Sequence, residues 1–404
     1  MPRQFTHLAF ILFIITALSG IWLRTFPYVT SFINYDHVLH GHSHIAILGW
    51  AFFGLYLIFL KILWPTLKQK KHAIILGYVI FFVSLIMFFA FLYEGYATYS
   101  IIMSTIHIFV EYWAIVFIFR RLKEHKELPT ISKLFVKGAL ISLFLSTLGP
   151  FALGYLGATG LKESPLFDMS IYYFLHFQYN GFLTLFLIGL FFTILSLKNI
   201  PFLYSRAKTG FWVYFIALFP WFVSAILWAD LGGFARVIAA IGSIGQFIGV
   251  ILLITAFLPT MKDVKTKFTR IVQISLYITI AFLLAKSMME LGLIYPKLSE
   301  LVFDTRSVII GYLHLTLLGF ISLFIITQFY MVRLTDVYHK TTLYGMFVFL
   351  AGFIINELVL FLLGLSSWTK AFSIPNASAW LLFASILLMI GICFYWVSVN
   401  RKHT

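Results

Sequence analysis

The chain has 404 residues, 61% of them hydrophobic and 11% charged, with a net charge of +15. A soluble domain carries about 25% charged residues, and no core of this size hides so much apolar surface from water, so lipid is the remaining solvent. The positive charge does not mark a nucleic-acid binder, because nearly all the basic residues lie between apolar runs, and the short alternating segments of a membrane β-barrel are missing.

Apolar runs of roughly 20 residues are the length that crosses a bilayer as a helix. They fall at about 7–24, 40–62, 73–93, 99–119, 134–157, 171–196, 209–229, 233–258, 270–291, 307–331, 341–363 and 376–399. The expectation is an all-α polytopic membrane protein with about 12 transmembrane helices and short connectors, in a single transmembrane domain over 1–404. The first run lacks a small-residue cleavage site and reads as a spanning helix, not a removed signal. The lone cysteine, Cys393, excludes both an internal disulfide and a CxxC metal site.

Numbering the gaps alternately sorts the basic residues. One side receives Arg3, the groups within 61–71 and 120–137, Lys198, Arg206, Lys208, the group within 262–270, Arg333, Lys340, Arg401 and Lys402. The other receives only Arg24, Lys162, Arg236, Lys297, Arg306 and Lys370, with Lys286 inside a run. The basic-rich side is expected in the cytoplasm, with both termini.

Three of the even-numbered runs share a pattern: His, four residues, Gly, aromatic. It reads His44…Gly49-Trp50 in run 2, His176…Gly181-Phe182 in run 6 and His314…Gly319-Phe320 in run 10. The copies lie about a third of the chain apart, so twelve helices divide into three pseudo-repeated groups of four, roughly 1–130, 131–265 and 266–404. Each histidine falls within the first turns of its helix, counted from the basic-poor end, and His107 in run 4 has similar depth. Ionisable residues at such depth are costly and are functional candidates. Histidine is the commonest metal ligand, and glycine admits a close neighbour. Packing alone is the plainer reading of any one copy; three copies at one depth favour a cofactor.

The other candidates are less specific. His37, His40 and His44 share one helical face and His42 points away; His40 and His44 at i, i+4 suit a metal ion or merely a wet helix end. His42 can replace His44 as the inward residue if the helix is rotated. His107 and Glu111 are also i, i+4, either a proton-handling pair or two polar groups satisfying each other. Glu94, Asp230, Glu290, Asn356 and Glu357 lie near the basic-poor ends, either a polar layer that conducts protons or simply helix ends where charges are tolerated, and Lys286 and Glu290 are spaced i, i+4. Arg236 and Arg306 suit cofactor carboxylates or interface anchoring. His7, His72, His125, His339 and His403 lie at basic-rich ends or loops and need no special role. No Walker A or dinucleotide fingerprint occurs.

With His42-Ser43-His44…Gly49-Trp50, His176…Asn180-Gly181-Phe182 and Tyr312-Leu313-His314…Gly319-Phe320, the chain resembles the catalytic subunit of heme-copper oxidases, nearest to the cbb-type and NnrS-like branches. The resemblance covers most of the chain in topology. It implies a heme b held by His44 (or His42) and His314, with electrons from a quinol or cytochrome donor and a place in the bacterial inner membrane. Tyr312 stands where that family holds a reactive heme. His176 matches one ligand of the second metal, but run 7 contains no histidine for the others. The reaction centre is therefore incomplete, and His176 and His107 are left for a second heme or metal ion. If the chain is an enzyme, it is an oxidoreductase of the respiratory oxidase or nitric oxide reductase type. Two other readings stand beside this one: a metal-ion transporter using His40, His44, His107 and His176, and a heme-free scaffold.

The orientation is directly testable. A reporter fused after Thr404 is expected to behave as cytoplasmic; an outside signal would mean that one span has been missed or invented.

Overall fold

The computed structural model describes residues 1–336 and 340–400, with only the backbone of Asn400. His339, Arg401, Lys402, His403 and Thr404 lie outside the described residues. Twelve helices are long and apolar enough to cross a membrane, and no strand occurs among the described residues. The chain is an all-α polytopic membrane protein in contact with lipid.

The spans are Gln4–Thr25 (span 1), Tyr35–Leu63 (2), Lys70–Glu94 (3), Thr98–Glu124 (4), Thr130–Ala158 (5), Pro165–Leu197 (6), Tyr204–Ala229 (7), Gly232–Lys267 (8), Arg270–Gly292 (9), Arg306–Met331 (10), Lys340–Thr369 (11) and Ala377–Val397 (12). Local chemistry sets several ends. Span 2 starts five residues before its apolar run because the Asn34 side chain accepts the Asp36 amide at 2.9 Å, so His37 and His40 belong to the helix. Ser164 caps span 6 and Pro165 occupies its first turn. Span 5 breaks at Thr147, three residues before Pro150, whose missing amide leaves the preceding turn unbonded. Span 7 carries Pro220, tightens into a 3₁₀ segment from Phe222 to Ala229, and ends at Asp230 in the left-handed region, φ +48°. An additional short helix, Pro296–Phe303, precedes span 10.

The repeated motif has a backbone counterpart. Spans 2, 6 and 10 each widen into a π-helical segment at the motif: Ile45–Ala51, His176–Leu183 and Leu315–Ser322. The amide of Phe52 reaches back to the Ile47 carbonyl and that of Thr184 to the Tyr179 carbonyl, five residues away in both cases. Two hydroxyls make the same reach: Thr184 donates to the Tyr179 carbonyl and Ser322 to the Leu317 carbonyl, both at 2.7 Å. π-helical segments are rare and concentrate at functional positions. The motif aromatic is buried every time, Trp50, Phe182 and Phe320 alike. These three spans are also the inner ones. In spans 2, 6 and 10 the apolar window is 83%, 89% and 56% buried, whereas the other nine reach at most 44%.

The chain divides into two compact units, Met1–Ala114 with Leu317–Thr404, and Ile115–Thr316. In the first, span 1 packs between spans 2 and 12, and span 11 lies along span 12. Trp50 stacks on Phe13 with centroids 4.0 Å apart and donates its indole N–H to Ser322 at 2.8 Å. In the second, spans 7 and 8 approach through glycine. A Cβ on Gly242 would stand 2.1 Å from the Trp221 amide nitrogen, and one on Gly249 would stand 2.8 Å from the Tyr214 Cβ. Lipid supplies no hydrophobic force between helices, so such close packing is a main source of cohesion.

The motif glycine of span 6 gives a graded test. A Cβ on Gly181 would lie 2.5 Å from the Ser142 Cβ of span 5, whereas one on Gly154 would meet nothing within 4 Å. G181V is expected to lower stability by about 1–3 kcal/mol through overpacking, and G154A by much less. Thermal unfolding in detergent checks the contrast; equal effects would refute the close approach.

Candidate functional site

In the first unit, the tautomer of His44 follows from its partners. Its Nδ1 lies 2.9 Å from the His40 carbonyl, which can only accept, so Nδ1 carries the proton. Nε2 then presents a lone pair, 3.1 Å from the Tyr96 hydroxyl, which donates to it. A backbone carbonyl on Nδ1 and a free Nε2 lone pair is the usual preparation of a metal-binding imidazole. Phe91 lies against the ring with centroids 4.2 Å apart. Tyr96 is half-exposed on the connector between spans 3 and 4, beside Gly95 at φ +65°.

The rest of the histidine cluster divides by face, as the helical period requires. His37 packs under Gly95, its Nδ1 donating to the Leu92 carbonyl at 3.3 Å, and the His40 ring meets the Tyr96 ring edge-on. His42 turns instead to span 1, where its Nδ1 donates to the Thr16 carbonyl at 3.0 Å beside the Ser19 hydroxyl at 3.1 Å. Both alternatives in span 2 thus carry their proton on Nδ1 and leave Nε2 as the acceptor nitrogen; they differ in their neighbours, span 1 for His42 and Tyr96 for His44.

His107 is fully buried, with both nitrogens engaged. Nδ1 lies 3.0 Å from Glu111 Oε1 and Nε2 lies 3.2 Å from the Ser84 hydroxyl of span 3. The second Glu111 oxygen is buried without a hydrogen-bond partner. The Ser84 hydroxyl also reaches the Leu48 carbonyl, inside the π-segment of span 2, at 3.4 Å.

In the second unit, His176 is likewise committed. Its Nε2 donates to the Leu218 carbonyl of span 7 at 2.9 Å, and its Nδ1 accepts from the Asn180 amide at 3.3 Å. Tyr214 in turn donates to the Asn180 carbonyl at 2.9 Å. The ring ties span 6 to span 7 in a unit where no second histidine from span 7 is present to share a metal.

Next to it lies a constellation whose burial the spacing alone did not reveal. Lys286 is completely buried and donates to Glu290 Oε1 at 2.8 Å. Its ammonium lies 5.0 Å from the Trp221 ring, 5.9 Å from that of Tyr312 and 6.0 Å from that of Tyr179, close enough for cation–π attraction. Tyr312 donates its phenol to the same carboxylate oxygen, and the other oxygen has no hydrogen-bond partner. At the position where the resemblance puts a reactive-heme ligand, the phenol is thus bound within an ion pair. The i, i+4 spacing of Lys286 and Glu290 was legible; the aromatic walls come from spans 6, 7 and 10 and were not.

Elsewhere, His125 lies in the loop after span 4, buried and bonded to Glu127 at 2.7 Å; Glu127's own backbone amide and then this contact hold that carboxyl below its ordinary range. Among the described residues, no three His, Cys, Asp or Glu side chains gather as a metal-ligating group. No protein-family model matches the chain, and no curated protein is significantly similar to it.

The buried ion pair makes a stability prediction. Removing one partner leaves a bare charge in a fully buried site. K286M is therefore expected to cost about 3–5 kcal/mol, while K286M/E290Q costs clearly less. Unfolding of the wild type, K286M, E290Q and the double variant in detergent measures this, and a double variant as unstable as the sum of both singles would show that the pair does not interact.

Proposed function

We propose that this chain is a heme b-binding membrane protein of the bacterial inner membrane. It is related in kind to the heme-copper oxidase catalytic subunit but lacks a complete reaction centre, and both termini lie in the cytoplasm. The observation that carries the reading is His44, which stands at the mouth of a π-segment repeated three times, with Nδ1–H on the His40 carbonyl and Nε2 left as a lone pair. This donor fits an axial heme ligand. The resemblance supplies the second, His314, at the equivalent place of the third repeat, where its helix passes into the π-segment from Leu315.

A heme held by two imidazoles has no open position and serves electron transfer from a quinol or cytochrome. The protein's own contributions are local. The His40 carbonyl orients the His44 ring, Phe91 covers one side of it, and the Tyr96 hydroxyl on the connector marks the position in front of Nε2 that a ligated iron would take. Among the described residues no three metal-ligating side chains gather, which favours this reading over the metal-transport alternative. Such a transporter needs several convergent ligands, whereas a two-imidazole heme needs no such cluster.

The absorption spectrum is the test. Protein purified from heme-replete cells is expected to show a six-coordinate, low-spin heme that carbon monoxide hardly changes, without sustained cyanide-sensitive oxygen uptake. H44A and H314A are expected to lose that spectrum. H176A, whose ring bonds Leu218, and H72A, on an exposed surface, are expected to keep it. Folded protein without heme, or an unchanged spectrum in H314A, would sink the proposal.

A further inference from the structure

Glu111 and His107 lie in the interior of span 4 and have no part in the heme reading. Their hydrogen bonds restrict where protons can sit. The Leu48 carbonyl only accepts, so a Ser84 hydroxyl that donates to it must accept from His107 Nε2–H. That leaves one proton for the 3.0 Å contact between His107 Nδ1 and Glu111 Oε1. The alternative sends the Ser84 proton to Nε2 and leaves Glu111 as a bare carboxylate, fully buried, with one hydrogen bond and an orphaned second oxygen. A charge so poorly compensated is far costlier than a neutral pair.

The surroundings supply no counter-charge. Span 3 contributes Ser84 and span 2 contributes the Phe52 ring, edge-on to His107, and the neutral His44. The nearest interacting titratable group of Glu111 is His107 itself. Along span 4, Ser100, Ser104, His107 and Glu111 fall at i, i+4, i+7 and i+11, a single helical face. Ser104 donates to the Ser100 carbonyl at 2.8 Å, and the Ser100 amide donates to Glu94 at 2.9 Å, at the basic-poor end. Ser100, Ser104 and the buried pair thus share one polar face toward the membrane edge, while Thr105 lies on another face of the helix.

We propose that Glu111 and His107 form a buried proton-binding site, with Glu111 protonated at rest and sharing its proton with His107, and with exchange along the Ser104–Ser100–Glu94 face. In transfer, the proton leaves Glu111 Oε1 for His107 Nδ1, giving a carboxylate and an imidazolium with no change in total charge. The ligand is the proton alone, and the proposal holds whether or not the chain carries heme.

Infrared spectroscopy of the full chain in liposomes tests it. The wild type is expected to show a protonated-carboxyl C=O band that shifts in D₂O and disappears in E111Q. H107Q, which removes the imidazole acceptor, should keep the band but move it to higher frequency. S104V should slow deuteration of the band several-fold, whereas T105V, on another face, should not. Identical carboxyl regions in wild type and E111Q would overturn the proposal, as would a band unmoved in H107Q. Should E111Q not fold, E111D takes its place, with a displaced band expected and an unaltered one overturning the assignment.

Discussion

Lipid offers no hydrogen bonds, so each polar group placed in the membrane interior must find its partner within the chain. The inner helices of this protein answer that demand repeatedly. A carbonyl four residues back takes the His44 Nδ1–H, carbonyls on neighbouring spans take protons from His42 and His176, and a serine and a glutamate engage both nitrogens of His107.

The π-segments widen the three most buried helices at the point where polar groups are needed. A wider turn shifts the register of every side chain beyond it and brings hydroxyls five residues on within reach of a carbonyl, as Thr184 and Ser322 show. The glycine and the aromatic of the motif have separate tasks. Gly181 admits Ser142 of span 5, and the aromatic fills the space inside, as Trp50 does between Phe13 and Ser322.

Equivalent places in the repeat have nonetheless diverged in chemistry. His44 turns its Nε2 lone pair to a tyrosine hydroxyl on a connector, while His176 spends both nitrogens joining two helices. Two carboxylates in the interior are compensated differently: Glu290 by a lysine and a phenol, Glu111 by an imidazole. The first pair is charge against charge within aromatic walls; the second is balanced by placing a single proton.

Much was legible in the residues alone. Twelve spans, the histidine repeat and the pairing of His107 with Glu111 and of Lys286 with Glu290 follow from apolar length and helical period, because both are local properties of one helix. The apolar run of span 2 begins at residue 40 but its helix begins at Tyr35, since its cap is a side-chain bond of Asn34 and not an apolar residue. The spacing of His42 and His44 placed them on different faces but left open which one is available. Their neighbours, span 1 for His42 and Tyr96 on the connector for His44, came only from the fold, and both histidines keep Nε2 as the acceptor nitrogen. The wide turns, the tautomer of His44, the engagement of His176 by Leu218 and the aromatic walls around Lys286 were likewise decided only by tertiary structure. They arise from neighbours far apart in the chain, and no periodicity within one helix encodes where another helix will place its carbonyl.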